Sequence, residues 1–293
     1  MENFCWIPIY LEDEIDIREP IEDERLFNQL MADIVGEAGE SMIYITGDTH
    51  ASFSKRFNNE NFPEQREMTK EDYVIICGDF GGIWDEKEES KNEKYWLDWF
   101  EDRNFTLLFL DGNHENFDRL YEYPVKEWHG GKVHEIRSSV YHLMRGQIFE
   151  IGGKSIFTFG GASSHDISGG ILDRDDPDYK QKKKQLDREY LSYRINHVSW
   201  WEQELASDEE MEEGKRNLQM HDWTIDYILT HCCSTTTQDI FGKYLYQADR
   251  VTDYLEFIKN HANYQKWFFG HYHDNRNVND KEIMLYEQVI RIV

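Results

Sequence analysis

Proline and cysteine are both scarce in this 293-residue chain, at five and four. With only five prolines and 19 glycines, collagen-like and low-complexity classes are excluded. The cysteines, Cys5, Cys77, Cys232 and Cys233, show no CxxC spacing and no paired framework. They read as free thiols of a reducing cytoplasm rather than a disulfide scaffold. No run of apolar residues approaches the roughly 18 needed for a membrane helix. Met1 to Tyr10 carries Glu2 and no base before its apolar stretch, so no secretory signal is expected and the reading is cytoplasmic. Positive charge is also short: 32 Lys and Arg face 58 Asp and Glu, a net of −26. Bulk binding to nucleic-acid backbone is therefore disfavoured, and so is contact with an anionic membrane. An anionic substrate would need a local source of positive charge, and bound metal ions are the obvious one.

What is present is apolar and aromatic. Hydrophobic residues make up 39% and aromatics 15%, enough to build a core without staples and too much for a disordered chain. Residues 1–40 stand apart as an acidic extension, where Arg18 and Arg25 are the only bases. Apolar residues at helical spacing predict a helix over about Ile21 to Val35. This arm is either a helix packed on the domain edge or a docking segment for a protein partner. The remainder, 41–293, reads as one domain.

From Met42 a rhythm of short apolar runs begins. Met42–Thr46 ends at Gly47-Asp48, and Tyr73–Cys77 ends at Gly78-Asp79. Thr106–Leu110 ends at Asp111-Gly112-Asn113-His114, Ile225–Thr230 at His231, and Gln265–Phe269 at Gly270-His271-Tyr272-His273. Such runs read as buried strands, and amphipathic helices over Glu93–Arg103 and Arg250–His261 lie between them. Strand–helix alternation implies an α/β layered fold. Gly152-Gly153 between alternating runs predicts a hairpin, and Glu282–Val293 predicts a last strand. Residues about 163–222 read as an insertion: a polar loop over Asp173–Lys184, a helix through Tyr190–Leu205, an acidic stretch, then another helix.

All five strand ends finish in Asp, Asn or His. Open α/β sheets place their sites beyond the carboxyl ends of strands. Carboxylate, imidazole and amide oxygen suit Mn, Fe, Zn or Mg, whereas thiolate sites need cysteine. In this order and spacing the motifs resemble the calcineurin-like metallophosphoesterase superfamily across Asp48 to His273. The resemblance implies a β-sandwich flanked by helices, here with a helical cap insertion, and a dinuclear centre at the sandwich top. By motif, Asp48, His50 and His273 would hold one metal, and Asn113, His231 and His271 the other. Asp79 would bridge them. His114 would bind the phosphate or protonate the leaving oxygen. The implied cofactors are two divalent ions, Mn first. The implied reaction is hydrolysis of a phosphate mono- or diester by a metal-bridging hydroxide.

The second motif, Gly78-Asp79-Phe80-Gly81-Gly82, lacks the Asp and Arg of the Ser/Thr protein phosphatases, which disfavours that alternative. Gly82 also leaves open what orients His114. Gly160-Gly161-Ala162-Ser163-Ser164-His165-Asp166, with Arg194 and Trp200-Trp201, resembles a bacterial and phage-type subgroup. His165 and Arg194 are candidate substrate contacts, Arg194 through its bidentate fork. Asp111 and Glu115 are candidates to orient the imidazoles. Bases at Lys180–Lys184 and Arg188 keep a nuclease or nucleotide phosphodiesterase as a second alternative. A non-catalytic scaffold is disfavoured by the complete ligand set.

Overall fold

The computed structural model describes residues 41–242 and 245–293, so the acidic arm and its expected helix lie outside the described residues. Two sheets form the centre. The first takes β1 (Ile43–Thr46), β2 (Tyr73–Ile76), β3 (Thr106–Phe109), β4 (Val125–Trp128), β5 (Gly131–Arg137) and β6 (Val140–Leu143). The second takes β7 (Gln147–Ile151), β8 (Lys154–Phe159), β11 (Thr224–Thr230), β12 (Asn263–Phe269), β13 (Arg276–Asn277) and β14 (Glu282–Met284). A last strand, β15 (Val289–Arg291), returns to the first sheet, whose order is β15-β1-β2-β3-β6-β5-β4; the second runs β13-β14-β12-β11-β8-β7.

Alternation along the strands builds three apolar layers. Ile43, Ile45, Ile75 and Leu108 of the first sheet meet Phe149, Ile156, Leu229 and Phe268 of the second. Their neighbours Tyr44, Val74, Leu107 and Phe109 face outward onto Leu97 and Phe100 of α1 (Lys91–Glu101). On the far side, Phe157, Ile228 and Trp267 pack under Leu218 of α3 (Asp208–Met220) and under α5 (Arg250–His261), which contributes Val251, Leu255 and Ile258. The result is a helix–sheet–sheet–helix sandwich, the mixed α/β class that strand–helix alternation implies. No helix among the described residues is long and apolar enough to cross a membrane.

Strands β1, β2 and β3 are mutually parallel, as are β8, β11 and β12. Parallel strands present their carboxyl ends at one edge, which brings the five motif loops together. The Gly152-Gly153 hairpin joins β7 and β8 as the spacing predicts. Three expectations differ. The tail is two short strands: β14 pairs with β12 and β15 with β1, so the chain crosses between sheets there. The β4–β5 hairpin has no matching expectation, because Lys126, Glu127 and Lys132 give it no apolar run.

The third difference lies in the 163–222 interval. Helix α2 spans Tyr179–Glu189, starting within the expected Asp173–Lys184 loop and running beyond it, and stops where Tyr190 turns left-handed at φ 54°. No α-helix follows over Tyr190–Leu205, only a short 3₁₀ turn at Glu202–Glu204. Instead β10 (Arg194–Ile195) pairs with β9 (Ile171–Leu172). The acidic stretch is itself the first turn of α3, with Ser207 and Glu210 forming a capping box. Acids there oppose the positive end of the helix dipole.

Under the first sheet, His142 Nε2 donates to Asp111 at 3.0 Å, and its Nδ1 faces His134 Nδ1 at 2.9 Å. Burial pushes His134 down to about 3. A histidine lowered in the folded state costs stability as pH falls below its ordinary value of about 6.5, because only the unfolded chain takes the proton. Thermal melts should therefore lose about 1 kcal/mol through this residue by pH 5. His134→Gln should show a flatter pH dependence over that interval, and an unchanged slope would assign the acid sensitivity elsewhere.

Candidate metal and phosphate site

The loops after the parallel strands converge on buried carboxylates. One ligand atom from each of Asp48, His50, Asp79 and His273 lies within 4.8 Å of the others. Asp48 Oδ1 accepts from the His271 backbone N–H at 2.8 Å, while Oδ2 is buried with no hydrogen-bond partner. That orphaned oxygen sits 3.0 Å from His273 Nε2, which in turn faces His50 Nε2 at 2.9 Å. Asp79 presents its two oxygens to opposite sides. Oδ2 is 3.6 Å from His50 Nε2, and Oδ1 is 3.4 Å from His231 Nε2. Asn113 Oδ1 is also 3.3 Å from His231 Nε2, and the His271 ring lies 4.9 Å from that of His231.

This donor set fits divalent cations. An oxygen without a partner and two imidazole nitrogens facing each other are what a shared cation would satisfy. His231 Nδ1 lies 2.9 Å from the Cys77 carbonyl, the hydrogen bond that would leave its Nε2 free as a ligand. Charge and burial point the same way. Burial alone would raise Asp48, but the facing His273 and His231 hold it well below the usual carboxylate range. Burial and the neighbouring Asp48 charge raise Asp79. Burial drives His50 down to about 4 and lowers His271 strongly, so both imidazoles are neutral, the form a metal requires.

Locally the geometry is strained. His50, Asp79, His271 and His273 all have positive φ, between 44° and 69°. Such backbone costs about 1–3 kcal/mol per residue and is held only by its surroundings. Gly112 is one such constraint, because a Cβ there would overlap the Asp79 carboxylate. Arg56, buried below the first loop, donates to Thr46 Oγ1 and the Gly47 carbonyl, each at 2.8 Å.

Beside the metal ligands lies a basic pair. His114 donates its backbone N–H to Asp79 Oδ1 at 2.8 Å and stands edge-on to His50. Its Nε2 is 3.1 Å from Arg194 Nη2. A guanidinium can only donate, so the shorter contact makes Nε2 an acceptor, while Nδ1 itself lies 3.5 Å from Arg194 Nη1. Burial, with Arg194 and His50 beside it, lowers His114. Arg194 is thus the group that faces His114 where Gly82 offers nothing. It is a buried strand residue, not a residue of a surface helix. His165 Nε2 faces His271 Nε2 at 2.8 Å.

Asp111 and Glu115 do not meet the metal-facing imidazoles. Asp111 turns to His142 and to Arg145, which binds it through Nε at 2.9 Å and also donates to the Gln203 carbonyl. Glu115 accepts from the Phe80 N–H at 2.7 Å. Sequence reasoning passed over Arg145 and Arg56. Arg145 is an isolated base beside an apolar segment, and Arg56 follows Lys55 just before Phe57, patterns that do not by themselves mark a site.

A family model described as calcineurin-like phosphoesterase matches residues 41–275. Among solved structures, phosphopantetheinyl hydrolase from Mycobacterium tuberculosis is 13% identical. The match covers 85% of this chain and 89% of that one, with a TM-score of 0.40. No curated protein matches the chain.

Gly112→Ala places a methyl group against Asp79. Retention of Mn after gel filtration should fall at least about tenfold, with the far-ultraviolet circular dichroism unchanged. Undiminished retention would show that Asp79 has room to move.

Proposed function

Because the chain belongs to the calcineurin-like phosphoesterase family, and is thereby a metal-dependent hydrolase of phosphoric esters, we propose that it works with two divalent ions held by the seven converging ligands. The observation that carries this reading is the approach of Asp48, His50, Asp79 and His273 ligand atoms to within 4.8 Å of one another. The two-sided presentation of Asp79 supports its role as the bridge, with Asn113, His231 and His271 completing the second position. When bound, the ions supply Lewis acidity toward phosphoryl oxygens and lower the pKa of water. Mn is the expected occupant, with Fe, Zn and Mg as alternatives for this ligand chemistry.

The chain's own residues supply the rest. Arg194 offers permanent positive charge next to the metal ligands, within a strongly acidic protein, while its fork is held by Asp166 and its Nη1 by the Ser199 carbonyl. His114 has Arg194 beside both ring nitrogens, nearer at Nε2. It hydrogen-bonds the phosphoryl group and assists departure of the leaving oxygen. Asp48 and Asp79, buried and close together, give two negative charges that require cations to be stable. His165 lies at the rim of the same site, where a substrate would pass.

A second reading, a phosphodiesterase acting on an extended polyanion, is favoured by one observation. Lys180, Lys184 and Arg188 follow at four-residue spacing on α2, all exposed and without ion-pair partners among the described residues. Their neighbours Lys182 and Lys183 are paired with Asp176 and Asp187. A stripe of unpaired cations four residues apart repeats at about 6 Å along a helix, near the spacing of strand phosphates.

Initial rates on p-nitrophenyl phosphate and bis(p-nitrophenyl) phosphate should be abolished by EDTA and restored by Mn. Preference for the diester would support the second reading; metal-independent turnover would overturn both. Asp79→Asn should remove metal and activity together, and full turnover would remove Asp79 as the bridge. His114→Ala should keep both ions and slow poor leaving groups about 10²-fold or more, good ones less. Equal slowing of both would leave His114 a phosphate ligand only.

A further inference from the structure

Three consecutive residues after β8 each engage a different part of the site. Ser164 is buried and its Oγ accepts from Asn113 Nδ2 at 3.3 Å. That hydroxyl donates to Glu204 Oε2 at 2.7 Å, and the Ser164 backbone N–H donates to Glu204 Oε1 at 2.9 Å. Because the carboxylate takes the hydroxyl proton, Ser164 has only lone pairs to offer Asn113. The Asn113 amide is therefore set with nitrogen toward Ser164 and oxygen toward His231. A flipped amide would present an N–H₂ to the cation and could not ligate it.

His165, next in sequence, places Nε2 at 2.8 Å from His271 Nε2, with the Tyr246 ring 4.8 Å from its own. Asp166 then takes Arg194 in a fork, Oδ1 to Nε at 2.9 Å and Oδ2 to Nη2 at 2.8 Å. The same Nη2 reaches His114. Arg194 Nη1 is held at 3.0 Å by the Ser199 carbonyl. Upstream, the Gly161 N–H donates to the Asp111 carbonyl at 3.0 Å, so the segment is pinned to the loop that carries Asn113 and His114.

We infer that Ser164-His165-Asp166 is a positioning strap for this site, which orients Asn113 and His271 for one metal and Arg194 for the phosphate. The inference rests on the reading given under Proposed function. Its chemistry divides by residue. Ser164 and His165 act on metal retention, while Asp166 acts on binding of the anion and not on the metal. Glu204 belongs with Ser164 as the acceptor that fixes its hydroxyl. The strap thus ties the 163–222 interval to both halves of the centre, since Glu204 and Arg194 come from its far end.

The test uses the full chain and two measurements that do not depend on turnover. Mn content and affinity are measured by equilibrium dialysis, and binding of inorganic phosphate to the Mn-loaded protein by calorimetry. Ser164→Ala and His165→Ala should each weaken retention of one Mn of two by about 10–100-fold, and Ser164→Thr should restore it. Asp166→Ala should keep both ions and weaken inorganic phosphate at least about tenfold. The strap is overturned if Ser164→Ala and His165→Ala retain Mn like the parent. It is equally overturned if Asp166→Ala loses metal as they do, or binds phosphate as well as or better than the parent. A parent that binds two Mn but hydrolyses neither nitrophenyl ester would end the catalytic reading while the retention data still decide the strap. A parent that binds no Mn would end both.

Discussion

Two carboxylates buried side by side constrain much of this molecule. Asp48 and Asp79 are each almost wholly removed from solvent, and neither has an arginine or lysine against it. Ionised acids in that position are tolerated only with compensating charge. The protein surrounds them with His50, His231, His271 and His273; burial lowers His50 and His271, whereas the hydrogen bond to Asp48 raises His273. Divalent ions bound among these side chains would complete the charge balance. Hence the chain places left-handed backbone at four of these positions and an orphaned oxygen at Asp48. These features would be costly without a ligand and become useful with one.

The same accounting explains the arginines. In a chain of net charge −26, three of the four buried arginines among the described residues sit close to the site loops, and the fourth, Arg119, pairs with Glu93. Arg56 braces the turn before Asp48, Arg145 anchors Asp111 ahead of Asn113, and Arg194 meets His114. Arg145 also reaches the Gln203 carbonyl, and Arg194 is gripped by Asp166. The interval 163–222 is thus bound to the motif loops by charge-assisted hydrogen bonds rather than by apolar packing alone. Trp201 adds the apolar part, buried in the outer core of the first sheet with its indole N–H on Asp118.

Legibility followed physical locality. A buried parallel strand is a short apolar run, and its terminal Gly-Asp or Gly-His is adjacent in sequence, so Asp48, Asp79, Asn113, His231 and His271 could be picked out individually. Helices α1 and α5 were legible from their spacing. The β4–β5 hairpin was not, because β4 is exposed and β5 interleaves Lys132, His134, Glu135 and Arg137 with its two apolar side chains, Val133 and Ile136. Helix α2 was read as loop because it buries no residue, so it has no apolar face to betray it. The strand at Arg194 was read as helix because two residues carry no period.

By itself the sequence determined the chemistry available: carboxylates, imidazoles and an amide at strand ends, no thiolate set, and an acidic background that makes bound cations the natural source of positive charge. It also determined the layered α/β class, through apolar runs of strand length between amphipathic helices. Only the tertiary structure decided which atoms face one another. That Asp79 points two ways, that Arg194 rather than any residue near Gly82 meets His114, and that Ser164, His165 and Asp166 reach three different partners are facts about residues 28 to 152 positions apart. Such contacts depend on the packing of two sheets, and no local periodicity encodes them.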